Sequence, residues 1–120
     1  MSEIDVKMSA IYKAAHEELP EKASDFWYRA EQVTGAIEPV VEEVALAGSH
    51  PIGDDLADVA VELFWHLREM ERTFKDSATG LDDMADDLVA VDGEAKAWFD
   101  KHKEYVGEPD LPSDATSPEV

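Results

Sequence analysis

Apolar residues recur along the second half of the chain in two interleaved series, each with a period of seven. The first series is Leu56, Leu63, Met70, Ser77, Met84, Val91 and Trp98; the second is Ala60, Leu67, Phe74, Leu81, Leu88, Ala95 and His102. Steps that alternate between four and three residues are typical of a helix packed along a coiled-coil-like seam. The pattern therefore predicts one long helix over about residues 55–105.

A second seam runs through the first half of the chain. Its members are Leu19, Ala23, Phe26, Ala30, Val33, Ile37, Val40, Val44 and Ala47. An earlier apolar segment from Ile4 to Ala15 has the same spacing but is out of phase by one residue, which indicates a register slip. Pro20 lies at the junction, and proline suits the first turn of a helix. We predict helices over about residues 3–19 and 20–47, with the chain broken near Pro20.

A short turn separates the two seams. Gly48 suits the residue that follows a helix, and the turn is predicted to centre on Pro51, Ile52 and Gly53. A connection this short makes its two helices antiparallel neighbours. The predicted fold is all-α: an antiparallel helical hairpin formed by residues 1–106. Residues 107–120 hold three prolines and several acidic residues and predict a disordered tail.

Several aromatic residues lie off the predicted seams. Among them are Trp27, Tyr28, Phe64 and Trp65. One interpretation is a wide apolar stripe covered by neighbouring side chains. The interpretation we favour is a partner interface, because aromatic residues are enriched in interface cores and two helices alone make a poor core. Two identical or related hairpins would then form a four-helix bundle by dimerisation.

The chain carries 29 acidic and 10 basic residues, for a formal net charge of −19. No lysine or arginine occurs between Arg29 and Arg68. Such a charge disfavours nucleic acids and anionic membrane surfaces, and no apolar run approaches the roughly 18 residues that a membrane span needs. The acidic segment between Arg29 and Arg68 has two possible roles. It is either a solvated face, which would also suit a salt-adapted host, or a docking surface for a basic partner.

Residue patterns that would support catalysis or cofactor binding do not occur in the sequence. The chain has no cysteine, and no histidine follows a carboxylate by three residues as in di-iron bundles. Glu62 and His66 share a helix face but have no third ligand. The acidic turn from Asp82 to Asp87 lacks the pattern of a calcium loop and is more simply a solvated face. Ser49 and His50 are adjacent, but two adjacent residues do not make a Ser-His-Asp catalytic triad. We predict no enzyme activity, no metal site and no cofactor.

An acidic helical hairpin with a short turn resembles the Trp-x-Gly family of type VII secretion substrates, over roughly residues 4–105. The family's turn carries Trp-x-Gly, and the corresponding place here reads Pro51-Ile52-Gly53, so that Gly53 matches. The family's export signal, Tyr-x-x-x-Asp/Glu, corresponds to residues 88–92, where Asp92 matches and Leu88 replaces the tyrosine. Residues 92–99 look more like the end of the divergent secretion-associated relatives.

The resemblance implies a non-catalytic secretion substrate or secretion-associated protein that acts through a helical homodimer or heterodimer. A secretion ATPase is a further implied partner. The expected location is the cytoplasm before export and the outside afterwards, without a cleaved signal peptide, whose features the N-terminal residues lack. The alternative hypothesis is an intracellular acidic adaptor or immunity-type protein that masks a basic partner surface with residues 31–62. A third hypothesis is a phage-type assembly subunit that forms larger oligomers.

Overall fold

The computed structural model describes residues 2–46, Gly48 and residues 50–118. In chain order these residues form α1 (Glu3–Lys13), a π-helical segment (Ala14–Glu18), α2 (Leu19–Leu46), α3 (His50–Val91), α4 (Gly93–Asp100) and a 3₁₀ turn (Lys103–Tyr105). No strand occurs among the described residues. The prediction of an all-α helical hairpin is confirmed.

The chain forms two compact units. Unit 1 combines the residues up to Ala23 with Arg72–Pro112, and unit 2 combines Ser24–Glu71 with the residues from Ser113 onward. The sequence predicted a single hairpin domain of residues 1–106 followed by a separate tail. The structure instead divides the hairpin between two units and assigns the last residues to unit 2.

The predicted break near Pro20 is a π-helical segment rather than a helix end. The backbone N–H of Leu19 donates to the carbonyl of Ala14, five residues earlier. A π-helical turn accommodates one extra residue, which accounts for the one-residue slip between the two apolar segments. The residues that flank this segment, Lys13 and Leu19, keep right-handed helical dihedral angles. The helix therefore continues through Pro20, whose missing N–H falls next to the widened turn.

Capping interactions set the two ends of the α1–α2 arm. The Ser2 hydroxyl accepts from the Asp5 N–H at 3.1 Å, and the Asp5 carboxylate accepts from the Ser2 N–H at 3.4 Å. This reciprocal pair is a capping box. Gly48 has a φ of +84° after α2, and its N–H donates to the Ala45 carbonyl at 3.0 Å. Ala47 and Ser49, which also belong to the predicted turn, lie outside the described residues.

The predicted turn residues Pro51, Ile52 and Gly53 lie in the first turn of α3. The helix begins at His50 rather than near residue 55. Proline is favoured in a first helical turn because its missing N–H would have no intrahelical partner there. Gly53 is buried, and a Cβ at its position would lie 3.6 Å from Cγ1 of Val44. Gly53 thus marks a close contact between α2 and α3 rather than a bend.

The second long helix ends at Val91 rather than near residue 105. Asp92 has extended dihedral angles, and its carboxylate accepts from the N–H groups of Glu94 and Ala95 at 2.9 and 3.0 Å. An aspartate with this geometry is the N-cap of a new helix. The apolar residues beyond Asp92 therefore belong to α4, which packs against α1 in unit 1.

Each unit has its own apolar core. The core of unit 1 is formed by Met8, Tyr12, Ala85, Ala95 and Trp98, with Ile4, Ile11, Leu88, Val89, Phe99 and Tyr105 packed against it. The core of unit 2 is formed by Ala30, Phe64 and Ala115, with Trp27, Val33 and Leu67 packed against it. The predicted α1 face therefore packs into this core together with Tyr12, a larger residue of the same face that is outside the predicted series.

The buried seam of α3 lies one residue away from the predicted one. Its fully or nearly fully buried members, seven residues apart, are Ala57, Phe64, Glu71, Ala78 and Ala85. The predicted series from Ala60 is half-buried along α3, whereas Leu56, Leu63, Met70, Met84 and Val91 are between 43% and 84% exposed. Small side chains at a contact allow two helices to approach closely, which leaves the larger neighbouring residues on the flank.

Substitution of Ala85 by leucine should destabilise the protein by about 1–3 kcal/mol, because the added atoms have no space beside Met8 and Tyr12. Ala90→Leu is the matched control, since Ala90 is exposed on the same helix and should change stability by less than about 0.5 kcal/mol. Urea unfolding followed by circular dichroism measures both values. Equal effects of the two substitutions would contradict the close packing at Ala85.

Candidate functional site

An apolar groove runs along one flank of the α2–α3 pair in unit 2. The α2 side is formed by Val33, Ala36 and Val40, and the α3 side is formed by Leu56, Val59 and Leu63. The groove encloses about 290 Å³, and no charged or polar side chain is among its lining residues.

The groove is open to solvent. Val40, Leu56, Val59 and Leu63 are each exposed over more than two fifths of their surface. Single exposed apolar residues are common on protein surfaces, whereas a large contiguous apolar patch makes a surface a candidate for an interaction site. The arrangement is suited to hold the apolar face of another helix. Six of the ten lining residues belong to the predicted seams: Val33, Ile37, Val40, Leu56, Ala60 and Leu63. The seams therefore identified most of the residues of this surface, but they predicted that these residues pack against the other arm of the hairpin.

The C-terminal segment covers the other flank of the same helix pair. Successive residues of a helix are about 100° apart, so Leu63 and Trp65 lie on opposite sides of the buried Phe64. Leu63 lines the groove. On the Trp65 side, Ala115 is 5% exposed and belongs to the core cluster with Phe64. The tail therefore supplies the cover that a two-helix pair lacks on this side.

Three polar contacts hold the segment in place. The Asp114 carboxylate lies 2.6 Å from Nη2 of Arg68, which is itself buried. The Thr34 hydroxyl donates to the Thr116 carbonyl at 2.9 Å, and the Thr116 N–H donates to the Glu31 carboxylate. Together with the buried Ala115, these contacts fix both the position and the direction of the segment.

The prediction of a disordered tail is therefore corrected. Residues 107–118 lack regular secondary structure, but Pro109 and Ala115 are buried. The composition of the tail could not reveal this, because its contacts use backbone groups of Thr116, the side chain of Ala115 and the carboxylate of Asp114. Glu119 and Val120 lie outside the described residues.

The structure does not bring the four predicted interface aromatics together on one surface. Phe64 is fully buried in the core of unit 2, and Trp27 is half-buried against the same cluster. Trp65 is half-exposed and meets Phe64 edge-on, with ring centroids 5.0 Å apart. Tyr28 is exposed. Phe64 is thus a core residue rather than an interface residue, because its partners are the chain's own Ala30 and Ala115.

An acidic depression of about 730 Å³ lies beside Trp65. Its lining includes Asp58, Glu62, Glu69 and His66, and Pro118 of the tail closes one edge. The Glu62 and His66 pair noted in the sequence therefore faces this depression. Among the residues that the structure describes, no group of three or more histidine, aspartate or glutamate side chains is arranged to hold a metal ion.

Unit 1 contains a buried group of polar and aromatic side chains. The Tyr12 hydroxyl donates to Oδ1 of Asp86 at 2.7 Å, and Nε2 of His16 lies 2.5 Å from Oδ1 of Asp82. The Tyr105 ring stacks on the Tyr12 ring with centroids 5.4 Å apart. These contacts join α1 and the π-helical segment to α3. The acidic turn predicted as a solvated face therefore contributes Asp82 to the interior of unit 1, whereas Asp86 stays exposed while it accepts from Tyr12.

Burial dominates the titration of this group. Asp82 is 2% exposed, and burial raises the pKa of its carboxyl, although the hydrogen bond from His16 opposes the change. Burial also raises the pKa of Tyr12 well above its usual range, and the hydrogen bond to Asp86 adds to the effect. The ionised forms are therefore disfavoured at these two positions. The contacts of Tyr12 and His16 chiefly fix the position of α1 and the π-helical segment against α3.

The residues that resemble the export signal have structural roles in unit 1. Leu88 packs against the apolar core, and Asp92 caps α4.

None of the helices that the structure describes is both long and apolar enough to cross a lipid bilayer. Comparisons with protein-family models, curated proteins and solved structures found no match to this chain.

Asp82→Asn should change the pH dependence of stability. The contribution of a carboxyl whose folded pKa is raised is fully present below its unfolded pKa of about 3.9 and is lost as pH rises through the folded pKa. The free energy of unfolding of the unmodified protein should therefore fall, relative to Asp82→Asn, as pH rises through that window. Urea unfolding at a series of pH values measures the difference. Asp83→Asn, at an exposed neighbour, should show no such trend; parallel behaviour of the two variants would refute the assignment.

Truncation after Pro112 should lower the free energy of unfolding by about 1–3 kcal/mol, because it removes the burial of Ala115 and two hydrogen bonds. Tryptophan emission should shift to longer wavelength as Trp27 and Trp65 lose cover. Asp114→Asn alone should have an effect below about 1 kcal/mol, since the Asp114 carboxylate is mostly exposed. A truncated protein with unchanged stability and emission would show that the segment is not bound in solution.

Proposed function

We propose that this protein is non-catalytic and acts by binding another helical protein through the apolar groove of unit 2. The open, uncharged lining of the groove is the observation that carries the proposal. A partner that laid an apolar helix face into the groove would bury Val40, Leu56, Val59 and Leu63. A helical hairpin as partner would complete a four-helix bundle, as a homodimer or a heterodimer.

The class of protein we propose is a type VII secretion-like substrate or a secretion-associated protein. The all-α helical hairpin fits this class, and Gly53 and Asp92 stand where its two motifs would place a glycine and an acid. In this proposal the dimer surface is the groove rather than the aromatic set around Phe64. A secretion ATPase would be a second partner, and the protein would be cytoplasmic before an export that needs no cleaved signal peptide.

A second candidate function is that of an acidic adaptor that masks a basic partner surface. The observation that favours it is the acidic depression, where Asp58, Glu62 and Glu69 surround the half-exposed Trp65. Carboxylates beside an exposed indole ring suit the side chains of lysine and arginine. This function would use the opposite flank of α3 from the groove.

Co-expression with the protein encoded by the adjacent gene tests the first candidate. The two proteins should co-purify, and Leu63→Glu should reduce the recovered partner at least tenfold by burying a carboxylate in the groove. Val6→Glu makes the same kind of change at an exposed position of α1, outside the groove, and should leave recovery unchanged. Undiminished recovery with Leu63→Glu would exclude the groove as the binding surface.

Charge reversal separates the second candidate from the first. Lysine at Asp58, Glu62 and Glu69, which line the depression, should abolish binding of a basic partner, and binding to the unmodified protein should weaken steeply with salt. Binding through the groove should survive both changes, because the groove lining has no charged residue. Calorimetric titration of the purified partner measures both responses.

A further inference from the structure

The C-terminal segment shows how the Trp65 side of unit 2 holds a peptide. Glu31 and Thr34 of α2 contact both backbone groups of Thr116: the carboxylate accepts from the N–H, and the hydroxyl donates to the carbonyl at 2.9 Å. The Thr116 residue itself is exposed. Main-chain hydrogen bonds of this kind give affinity without reading a side chain, so a residue of any type can take this position.

The two residues before Thr116 are recognised through their side chains. Ala115 is 5% exposed and packs with Ala30 and Phe64, so a long side chain at this position would have to displace one of them. The Asp114 carboxylate lies 2.6 Å from Nη2 of Arg68. The surface therefore selects an acidic residue, then a small residue, then a residue of any type.

The chain's own segment satisfies this surface incompletely. Nε of Arg68 and Nε1 of Trp27 are buried and have no hydrogen-bond partner among the described residues. Arg68 is 8% exposed, and Trp27 packs against the cluster that holds Ala115. An arginine binds a carboxylate most strongly through two parallel N–H groups, whereas Asp114 is paired with Nη2. A buried donor without an acceptor is unfavourable, so an occupant that brings an acceptor to either nitrogen is favoured over the chain's own segment.

The same segment brings no positive charge to the acidic depression that it borders. Pro118 lies at the edge of this depression, whose lining includes Asp58, Glu62 and Glu69. Residues 113–118 contain no lysine or arginine. A peptide that continued past this edge with basic residues would gain an attraction to the carboxylates that the chain's own segment does not have.

We propose that this side of α2 and α3 is a binding site for a peptide of a second protein, and that residues 113–118 occupy the site when that protein is absent. The peptide has an acidic residue followed by a small residue, with basic residues a few positions later. The site lies on the opposite flank of α3 from the apolar groove and is independent of a partner bound there. It also goes beyond the acidic adaptor, which uses the depression alone.

Competition between the two occupants follows from the proposal. A tethered segment has an effective concentration on the order of millimolar, so it weakens the binding of a separate peptide to the same surface. The segment buries one side chain, Ala115, between Ser113 and Ser117. A substitution that removes this burial should therefore release the segment and open the site, while the helices that form the site stay unchanged.

Fluorescence anisotropy with the full chain tests the proposal. The probe is a labelled peptide with the sequence of residues 111–118 followed by two lysines. Ala115→Gln in the protein places a long side chain at the buried position and should tighten binding of the probe by about tenfold or more. Ser117→Gln, at an exposed position of the same segment, is the matched control and should leave the Kd within about twofold of the unmodified protein. Circular dichroism confirms that both variants keep their helices.

Changes in the probe test the recognition itself without altering the protein. The counterparts of Asp114→Lys and Ala115→Gln, and glutamate in place of the two lysines, should each weaken binding to the Ala115→Gln protein by about tenfold or more.

The other results overturn the proposal. Equal binding of the probe by the unmodified protein and the Ala115→Gln protein would show that the probe and the segment do not share a site, and so would no binding to either. Binding that needs the lysines of the probe but neither its aspartate nor its alanine also excludes the peptide site and is the response expected of the acidic adaptor. The groove proposal stands or falls separately, on Leu63→Glu.

Discussion

The structure depends on the close contact of helices at small side chains. The buried positions of α3 that recur every seven residues are alanines except for Phe64 and Glu71, and Gly53 continues the contact toward the start of the helix. Such residues bury little apolar area each, so the stability of the fold must come from close packing along much of α3. Because small residues occupy the buried positions of α3, the larger residues Leu56, Leu63 and Met70 lie outside the seam. The open apolar surface of unit 2 is thus a consequence of how the interior of the fold is built.

The two flanks of unit 2 show how a small helical protein manages its exposed apolar surface. One flank is covered by the chain's own C-terminal segment, through a buried alanine and the ion pair between Arg68 and Asp114. The carboxylates of the depression gather on this side, next to Trp65. The other flank keeps a groove without charge. A protein with 29 acidic residues can expose such a groove and stay soluble, because its charge opposes non-specific association everywhere else.

Unit 1 differs from unit 2 in that polar side chains are paired in and around its interior. The buried Tyr12 hydroxyl donates to the exposed Asp86, and His16 of the π-helical segment pairs with the buried Asp82 of α3. The π-helical segment matters here because the extra residue that it accommodates changes which side chains face α3 beyond Lys13. Burial of such groups without partners would be unfavourable, so the pairs specify one register of the two arms. The one-residue slip visible in the sequence and the buried polar pairs are two aspects of the same local geometry.

The sequence by itself determined the all-α class, the two arms and the approximate place of the connection, because apolar periodicity and capping chemistry act over a few residues. It also marked the register slip before Pro20 and the unusual charge. Only the tertiary structure decided which of two adjacent series on α3 faces inward. The two series have the same period and differ by a rotation of about 100° about the helix axis, and close packing places the series with the smaller residues inside. For the same reason the burial of Asp82 and the docking of Ala115 had no distinct sequence signal. Each depends on neighbours that lie far away along the chain.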